Sequence, residues 1–183
     1  MSFESDFSFQ RQRLSPLFSE AVDADCQFHS AWDVETKTSG VKQYKQTEEY
    51  SQLLKRFQAA KLAIDQVVAE AIDAVKQGDS EHLPTLIAYL DLPGRYFRSG
   101  YTRKTIWRLF KNASLDDAHR KILRRIFLQN VVSAGPEFAE AIKLAPILAD
   151  KEFILGVEGF RESKSEYVAE RARKILAKLE LMQ

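Results

Sequence analysis

The amino-acid sequence predicts an all-α protein that folds as a single domain. Apolar residues recur at steps of three and four along one long uninterrupted stretch, which is the spacing of a helix face. After Gly78 the chain divides into three units of similar length, each with a turn between two helical segments. The 183 residues, 45% of them hydrophobic, suit one domain with a sizeable core.

Residues 1–46 are predicted to form an N-terminal arm that is helical at first and then irregular. Helical spacing is shown by Leu14, Leu17, Phe18, Ala21 and Val22. Pro16 lies early enough in this segment to occupy a first helical turn. From Asp25 to Gln46 the pattern gives way to polar and turn-forming residues. We therefore expect a loop there, with a short extended piece near residues 32–34.

Residues 47–183 are predicted to form the helical domain, which begins with one long helix. Its apolar or small positions are Tyr50, Leu53, Phe57, Ala60, Ile64, Val67, Ala71 and Val75. Thr47 marks the beginning of this helix, and Gly78 supplies a C-terminal stop. Because the period is about 3.5 residues, a coiled-coil seam is an alternative. We favour a helix packed across its own domain, since Ala60 and Ala71 replace repeated leucines.

Three helix–turn–helix units are predicted to follow the long helix. They span residues 80–112, 114–149 and 150–182, which are 33, 36 and 33 residues. The turns are a Pro-Gly pair at residues 93–94, a Gly-Pro pair at residues 135–136 and a polar segment at residues 162–165. Consecutive helices joined by short turns pack as antiparallel hairpins, so we expect a stack of three hairpins.

The last unit carries the clearest repeat pattern. Its charged second helix, residues 166–178, lies over an apolar face of Val168, Ala172, Ile175 and Leu179. On this pattern, the C-terminal two thirds of the chain resembles the HEAT and armadillo class of α-α superhelices. The resemblance implies a stacked, curved helical array used as a binding surface, and it does not imply an enzyme. The tetratricopeptide alternative lacks its Trp, Gly, Tyr and Pro landmarks.

The charge of the chain is concentrated in its middle. The formal net charge is only +1, yet residues 94–125 carry ten Lys and Arg side chains against two acidic ones. Residues 1–93 carry nine basic and fifteen acidic side chains, and residues 126–183 carry eight and nine. Such a local excess of positive charge attracts anionic partners.

Helical phases separate this basic stretch into an inner and an outer face. The inner face is expected to hold Ile106, Leu109, Phe110, Leu115, Ile122 and Ile126. From Leu128 to Val132 the second helix is apolar nearly all round, so we expect that end to be buried. Two adjacent helices then present basic faces side by side, with Trp107 on a shoulder. The predicted binding residues are Arg95, Arg98, Arg103, Lys104, Trp107, Arg108, Lys111, Arg120, Lys121 and Arg124.

Three functions are compatible with this face. The first is a non-catalytic adaptor or regulatory protein that binds an acidic protein surface. The alternative is nucleic-acid binding, with phosphates contacted by Arg and Lys and bases stacked on aromatic rings. The third is a helical-repeat enzyme that processes bases, for which Asp91 near Tyr89 and Trp107 is the only candidate arrangement. If the face has no binding function, its basic side chains are simply exposed to solvent, and the acidic long helix neutralises them within the fold.

Other chemistry is absent or weakly indicated, and we predict no catalytic residue, no metal site and no cofactor. Cys26 and His29 have ligand-like spacing, but no second pair completes a zinc site. His119 lies one turn after Asp116, which we interpret as a histidine beside a capping carboxylate rather than an acid–base couple.

The cellular location is predicted to be cytoplasmic. A single cysteine excludes an intrachain disulfide, and the first residues lack the basic and apolar regions of a secretory signal. No apolar run approaches the roughly 20 residues needed to span a bilayer, so no membrane partner is expected.

Overall fold

The computed structural model describes residues 2–133, 135 and 137–181. These residues contain α-helices, two short 3₁₀ turns and loops but no β-strand, which confirms the all-α prediction. The 3₁₀ turns are Ser80–His82 and Ile142–Leu144. The helices are α1 (Phe3–Ser39), α2 (Val41–Tyr44), α3 (Glu48–Lys76), α4 (Leu83–Asp91), α5 (Ser99–Phe110), α6 (Asp117–Ser133), α7 (Phe138–Ala141), α8 (Ala145–Leu148), α9 (Lys151–Glu158) and α10 (Glu166–Glu180).

Helix α3 has the ends that the sequence predicts. The Thr47 hydroxyl caps its N-terminus by accepting a hydrogen bond from the Tyr50 amide at 3.1 Å. At its C-terminus Gly78 adopts φ 93°, and the Asp79 amide reaches back to the Ala74 carbonyl at 3.0 Å. This is the glycine-dependent stop expected from the sequence. The helix packs against α1 and α4, so its apolar face is covered by its own domain, which is the arrangement that the sequence favours.

The predicted loop over residues 25–46 is wrong. Helix α1 runs for 37 residues to Ser39, and α2 follows directly after Gly40, which ends α1 at φ 80°. Tertiary packing overrides the weak local propensity of this segment. Phe28 stacks on Phe57 of α3 with ring centroids 5.7 Å apart, and Trp32 contacts the ring of Tyr50 at 6.0 Å. The polar end of α1 therefore continues as a helix because α3 covers its aromatic face.

Helix α1 belongs to the same domain as the rest of the chain. Its buried residues are Leu14, Phe18, Ala21 and Ala24, and all four join the main hydrophobic core. The hydrophobic core therefore includes residues of the predicted arm as well as residues of the segment 47–183. The hairpin of α1 and α3 forms one side of the molecule, and α4 lies against both helices.

The three predicted helix–turn–helix units occur in the expected order. They are α4 with α5, α6 with α7 and α8, and α9 with α10. Helix α4 is the central element, because its residues from Leu83 to Leu90 are all buried beneath α1, α3 and α6. Of the turn at residues 135–136, Pro136 lies outside the described residues. The HEAT-like stacking of the units stays a prediction.

Helices α5 and α6 have different main neighbours. Helix α5 packs against α3 and α7, whereas α6 packs against α4, α8, α9 and α10. Aromatic rings join the two helices in the core, where Trp107 and Phe127 meet edge-on at 6.2 Å. No described helix combines the length and apolar character needed to cross a membrane.

A candidate binding site at the carboxyl end of helix α4

Two of the predicted binding residues are buried, and their assignment to a contact surface is wrong. Trp107 is fully buried in the core. Arg103 is only 4% exposed and donates hydrogen bonds to the carbonyls of Leu90 at 2.8 Å and Leu92 at 2.7 Å. The last carbonyls of a helix have no partner within it, so this guanidinium satisfies the end of α4. Burial lowers the pKa of Arg103.

Four other predicted residues form ion pairs within the domain. Their partners lie near α6, α7 and α9 and not on α3, where the sequence placed the neutralising acids. Both carboxylates paired with Arg95 and Arg108 are buried, and the two hydrogen bonds from Arg108 and Lys143 lower the pKa of Glu140. The pairs are Arg95–Glu137 at 2.7 Å, Arg108–Glu140 at 3.1 Å, Arg120–Asp117 at 3.4 Å and Arg124–Asp150 at 2.7 Å.

The remaining predicted residues have no ion pair among the described residues. Arg98 lies over the Phe97 ring at 5.3 Å, and the others extend from α5, its C-terminal end and α6. These residues are Arg98, Lys104, Lys111 and Lys121. The ten predicted residues therefore do not form one continuous basic face.

The structure instead shows an open cleft of about 680 Å³ where α4 ends. Helix α1 lies on one side, α6 lies on the other, and the main chain of residues 92–94 forms part of the wall. Four arginines line it: Arg11, Arg95, Arg103 and Arg125. Only Arg95 and Arg103 belong to the predicted set.

Asp91 lies at the centre of this cleft, and its side chain is only 3% exposed. Its two oxygens contact arginines of two different helices: Arg11 Nε of α1 lies 2.8 Å from Oδ2, and Arg125 Nη1 of α6 lies 2.8 Å from Oδ1. Both arginine side chains are about half exposed. A guanidinium has five N–H donors, and Asp91 engages one nitrogen of each. The other nitrogens of Arg11 and Arg125 have no partner among the described residues, so they are available to a ligand.

Arg95 closes the cleft on the side of α7. Its Nη2 donates to Glu137 Oε1 at 2.7 Å and to the Ser133 carbonyl at 3.2 Å. Gly135 permits this arrangement, because a Cβ at that position would lie 2.7 Å from Arg95 Cζ. The four arginines and the two carboxylates, Asp91 and Glu137, leave the cleft with a net charge of +2.

The arrangement expected for a base-processing enzyme is not formed. Tyr89 and Trp107 are fully buried and do not line the cleft beside Asp91. The Tyr89 hydroxyl instead pairs with the Tyr96 hydroxyl at 3.0 Å, and Tyr96 donates to Asp65 at 2.6 Å. Within the described part of the chain, Asp91 therefore faces arginines and main chain and has no aromatic surface on which to place a base.

Asp116 and His119 lie at the N-terminal end of α6. Asp116 Oδ1 accepts a hydrogen bond from the His119 amide at 2.8 Å, so Asp116 is the carboxylate that caps α6. This bond is the main reason that the pKa of Asp116 is lowered. The ring of His119 packs against Phe3 at 4.1 Å. Within residues 2–133, 135 and 137–181, no group of three or more His, Cys, Asp or Glu could hold a metal ion.

No protein-family model, no curated protein and no solved structure matches this chain. The candidate site therefore stands on its own geometry.

Sequence reasoning missed Arg11 and Arg125. Arg125 lies four residues after Lys121 and four before Gln129, so helical spacing places the three on one face of α6. This spacing could have identified Arg125 as a member of the predicted basic face. Arg11 had no such signal, because its partner Asp91 lies 80 residues away in the sequence.

Proposed function

We propose that this protein is a non-catalytic binding protein that recognises an acidic segment of a partner protein through the arginine-lined cleft. The observation that carries the proposal is the sharing of Asp91 between Arg11 and Arg125. One buried carboxylate holds two guanidinium groups in place and neutralises only one of their charges. Arginine is well suited to this role, because its planar fork binds a carboxylate through two parallel hydrogen bonds.

An acidic protein segment fits the cleft better than a nucleic acid does. Nucleic-acid binding usually rests on an extended basic stripe or face. Here most predicted members of such a face are buried or paired with acids of the same domain. The cleft also contains Asp91, which repels closely spaced phosphates. A few carboxylates spaced along a peptide place less negative charge near Asp91.

The proposal is tested by fluorescence anisotropy with a labelled oligoglutamate peptide, an oligoglutamine peptide and an oligo(dT) strand. We expect the oligoglutamate to bind at low salt and to dissociate as salt is raised. Arg11→Gln and Arg125→Gln should each weaken binding by about three- to tenfold. Each single variant leaves Asp91 one arginine, and circular dichroism checks that the fold is kept.

Arg173→Gln is the matched control. Arg173 is a half-exposed arginine on α10 that pairs with Glu166 and does not line the cleft. If oligoglutamate fails to bind, or if Arg11→Gln and Arg125→Gln bind it like Arg173→Gln, the proposal is wrong. Tighter binding of oligo(dT) that is lost in the same two variants establishes the nucleic-acid alternative instead.

A further inference from the structure

A second depression of about 500 Å³ lies between α6 and α9. Its apolar lining consists of Leu128 and Val132 of α6, Phe153 of α9, and Phe160, which follows α9. The helices meet closely at Gly156, where an added Cβ would lie only 3.0 Å from Leu128 Cδ1. Below we call this depression the apolar groove.

The apolar groove contains exposed apolar surface that the fold itself does not cover. The sequence predicts burial for residues 128–132, yet Val132 is 57% exposed and Leu128 is only partly buried. Val131, between them in this segment, is fully buried, so α6 turns one apolar face inward and another outward. A helix that is apolar on both faces has a second surface to cover.

Basic residues border the apolar groove. Lys121, Arg124 and Arg125 line it together with one acid, Glu152, and Arg124 is paired with Asp150. Lys121 has no ion pair within the described part of the chain, and Arg125 has nitrogens that Asp91 does not engage. The charge of this border is therefore complementary to an acidic ligand that also has an apolar side.

The apolar groove and the arginine-lined cleft are neighbours on the same helix. Arg125 and Gln129 line both. Lys121, Arg125, Gln129 and Val132 follow one another at helical spacing, so they form a ridge about 16 Å long along α6. A helix of about three turns has the same length.

From these observations we infer that the acidic segment bound by this protein is an amphipathic α-helix. Its apolar face fills the groove between α6 and α9, and its acidic side chains reach Lys121 and Arg125 and enter the cleft. Helices that bind in this way use apolar anchors at positions i, i+3 or i+4, and i+7. The inference rests on the proposed function and adds the conformation and the apolar face of the partner.

The test compares two labelled peptides of identical Glu and Leu composition. In one, the leucines lie on a single face of a helix, and in the other they are distributed around it. We expect the amphipathic peptide to bind about tenfold more tightly than the scrambled one. Val132→Glu should remove this difference, because it places a carboxylate in the apolar groove. The added negative charge should weaken binding of the two equally charged peptides alike, so the difference between them reports on the groove.

Leu155→Glu is the matched control for Val132→Glu. Leu155 is 56% exposed on α9 and does not line the apolar groove. Both substitutions replace an exposed aliphatic side chain with the same charge. We expect Leu155→Glu to keep the preference for the amphipathic peptide.

The possible failures are distinguishable. If both peptides bind equally and Arg125→Gln weakens both, the inference about the apolar groove is wrong and the proposed function stands. If neither peptide nor oligoglutamate binds, the proposed function fails as well. If sedimentation velocity shows a dimer that Val132→Glu dissociates, the groove binds a second copy of this chain, and the inference is overturned.

Discussion

Arg125 Nη1 lies 2.8 Å from Oδ1 of the nearly buried Asp91 carboxylate. Arg11 of a different helix occupies the other oxygen, so two cations share one anion. Two arginines against one carboxylate leave an excess positive charge in the cleft, and the two ion pairs also connect α1, α4 and α6. Stability and binding can therefore be tested at the same residue.

Asp91→Asn should affect stability and binding in opposite directions. Loss of the carboxylate leaves two arginines beside each other, but both are half exposed and remain hydrated. We therefore expect a loss of only about 1 to 2 kcal/mol in the free energy of unfolding, measured with urea. The cleft gains one positive charge, so oligoglutamate should bind more tightly, by about threefold or more. Asp73→Asn, at an exposed ion pair with Lys76, is the control. Weaker oligoglutamate binding would contradict the prediction.

Arg103→Met should destabilise the protein by about 3 kcal/mol. The substitution keeps an unbranched side chain of similar length but leaves the Leu90 and Leu92 carbonyls without their donors. Urea unfolding of the variant measures the loss. Lys111→Met, at an exposed position just beyond the same helix, should change the free energy by less than about 0.5 kcal/mol. Equal effects of the two substitutions would show that Arg103 has no structural role.

Phe28→Ala should unfold the end of α1 locally. Phe28 is partly buried and stacks on Phe57, so we expect a loss of about 2 to 3 kcal/mol. Amide hydrogen exchange should increase over residues 25–44 and much less over α4, which is buried throughout. Val34→Ala on the exposed side of α1 is the control. Unchanged exchange over residues 25–44 would mean that packing against α3 does not hold this segment.

The buried tyrosines should make the protein sensitive to alkaline pH. Burial raises the pKa of Tyr89 to about 12 and also raises the pKa of Tyr96, whose hydroxyl donates to Asp65. The folded state therefore holds protons that the unfolded chain releases near pH 10. The free energy of unfolding should be independent of these groups below about pH 10 and should fall as pH rises toward 12.

This pH dependence is measured by urea unfolding between about pH 8 and 12. Tyr89→Phe removes one of the two phenols and should reduce the slope. Tyr101→Phe removes an exposed phenol and should leave the slope as it is in the natural sequence. A flat profile across this range would show that neither phenol is held protonated by the fold.

The features predicted correctly from the sequence depend on local chemistry. Thr47 and Gly78 define the ends of α3 through contacts within a few residues, and the segment order after Gly78 follows from turns and apolar spacing. The extension of α1 to Ser39 depends on aromatic contacts with α3, which local propensity does not contain. The sequence therefore predicts the class of the fold and most of its elements but not the length of α1.

The candidate site was only partly predictable for the same reason. Charge density identified the stretch that contains Arg95 and Arg125. It did not separate arginines that serve the fold from those available to a ligand. Arg103 differs from its neighbours only because the end of α4 lies beside it, and Arg11 joins the cleft through a contact between distant parts of the chain.

The cleft draws Arg11, Asp91, Arg95 and Arg125 from three separate parts of the chain, so it exists only in the folded state. Any molecule that occupies it raises the melting temperature. At about 100 times its Kd, a ligand adds about 2.7 kcal/mol of stability, which corresponds to about 5 to 10 °C in Tm for a chain of this size. A thermal-shift screen of acidic peptides can therefore rank candidate ligands without a label on any of them.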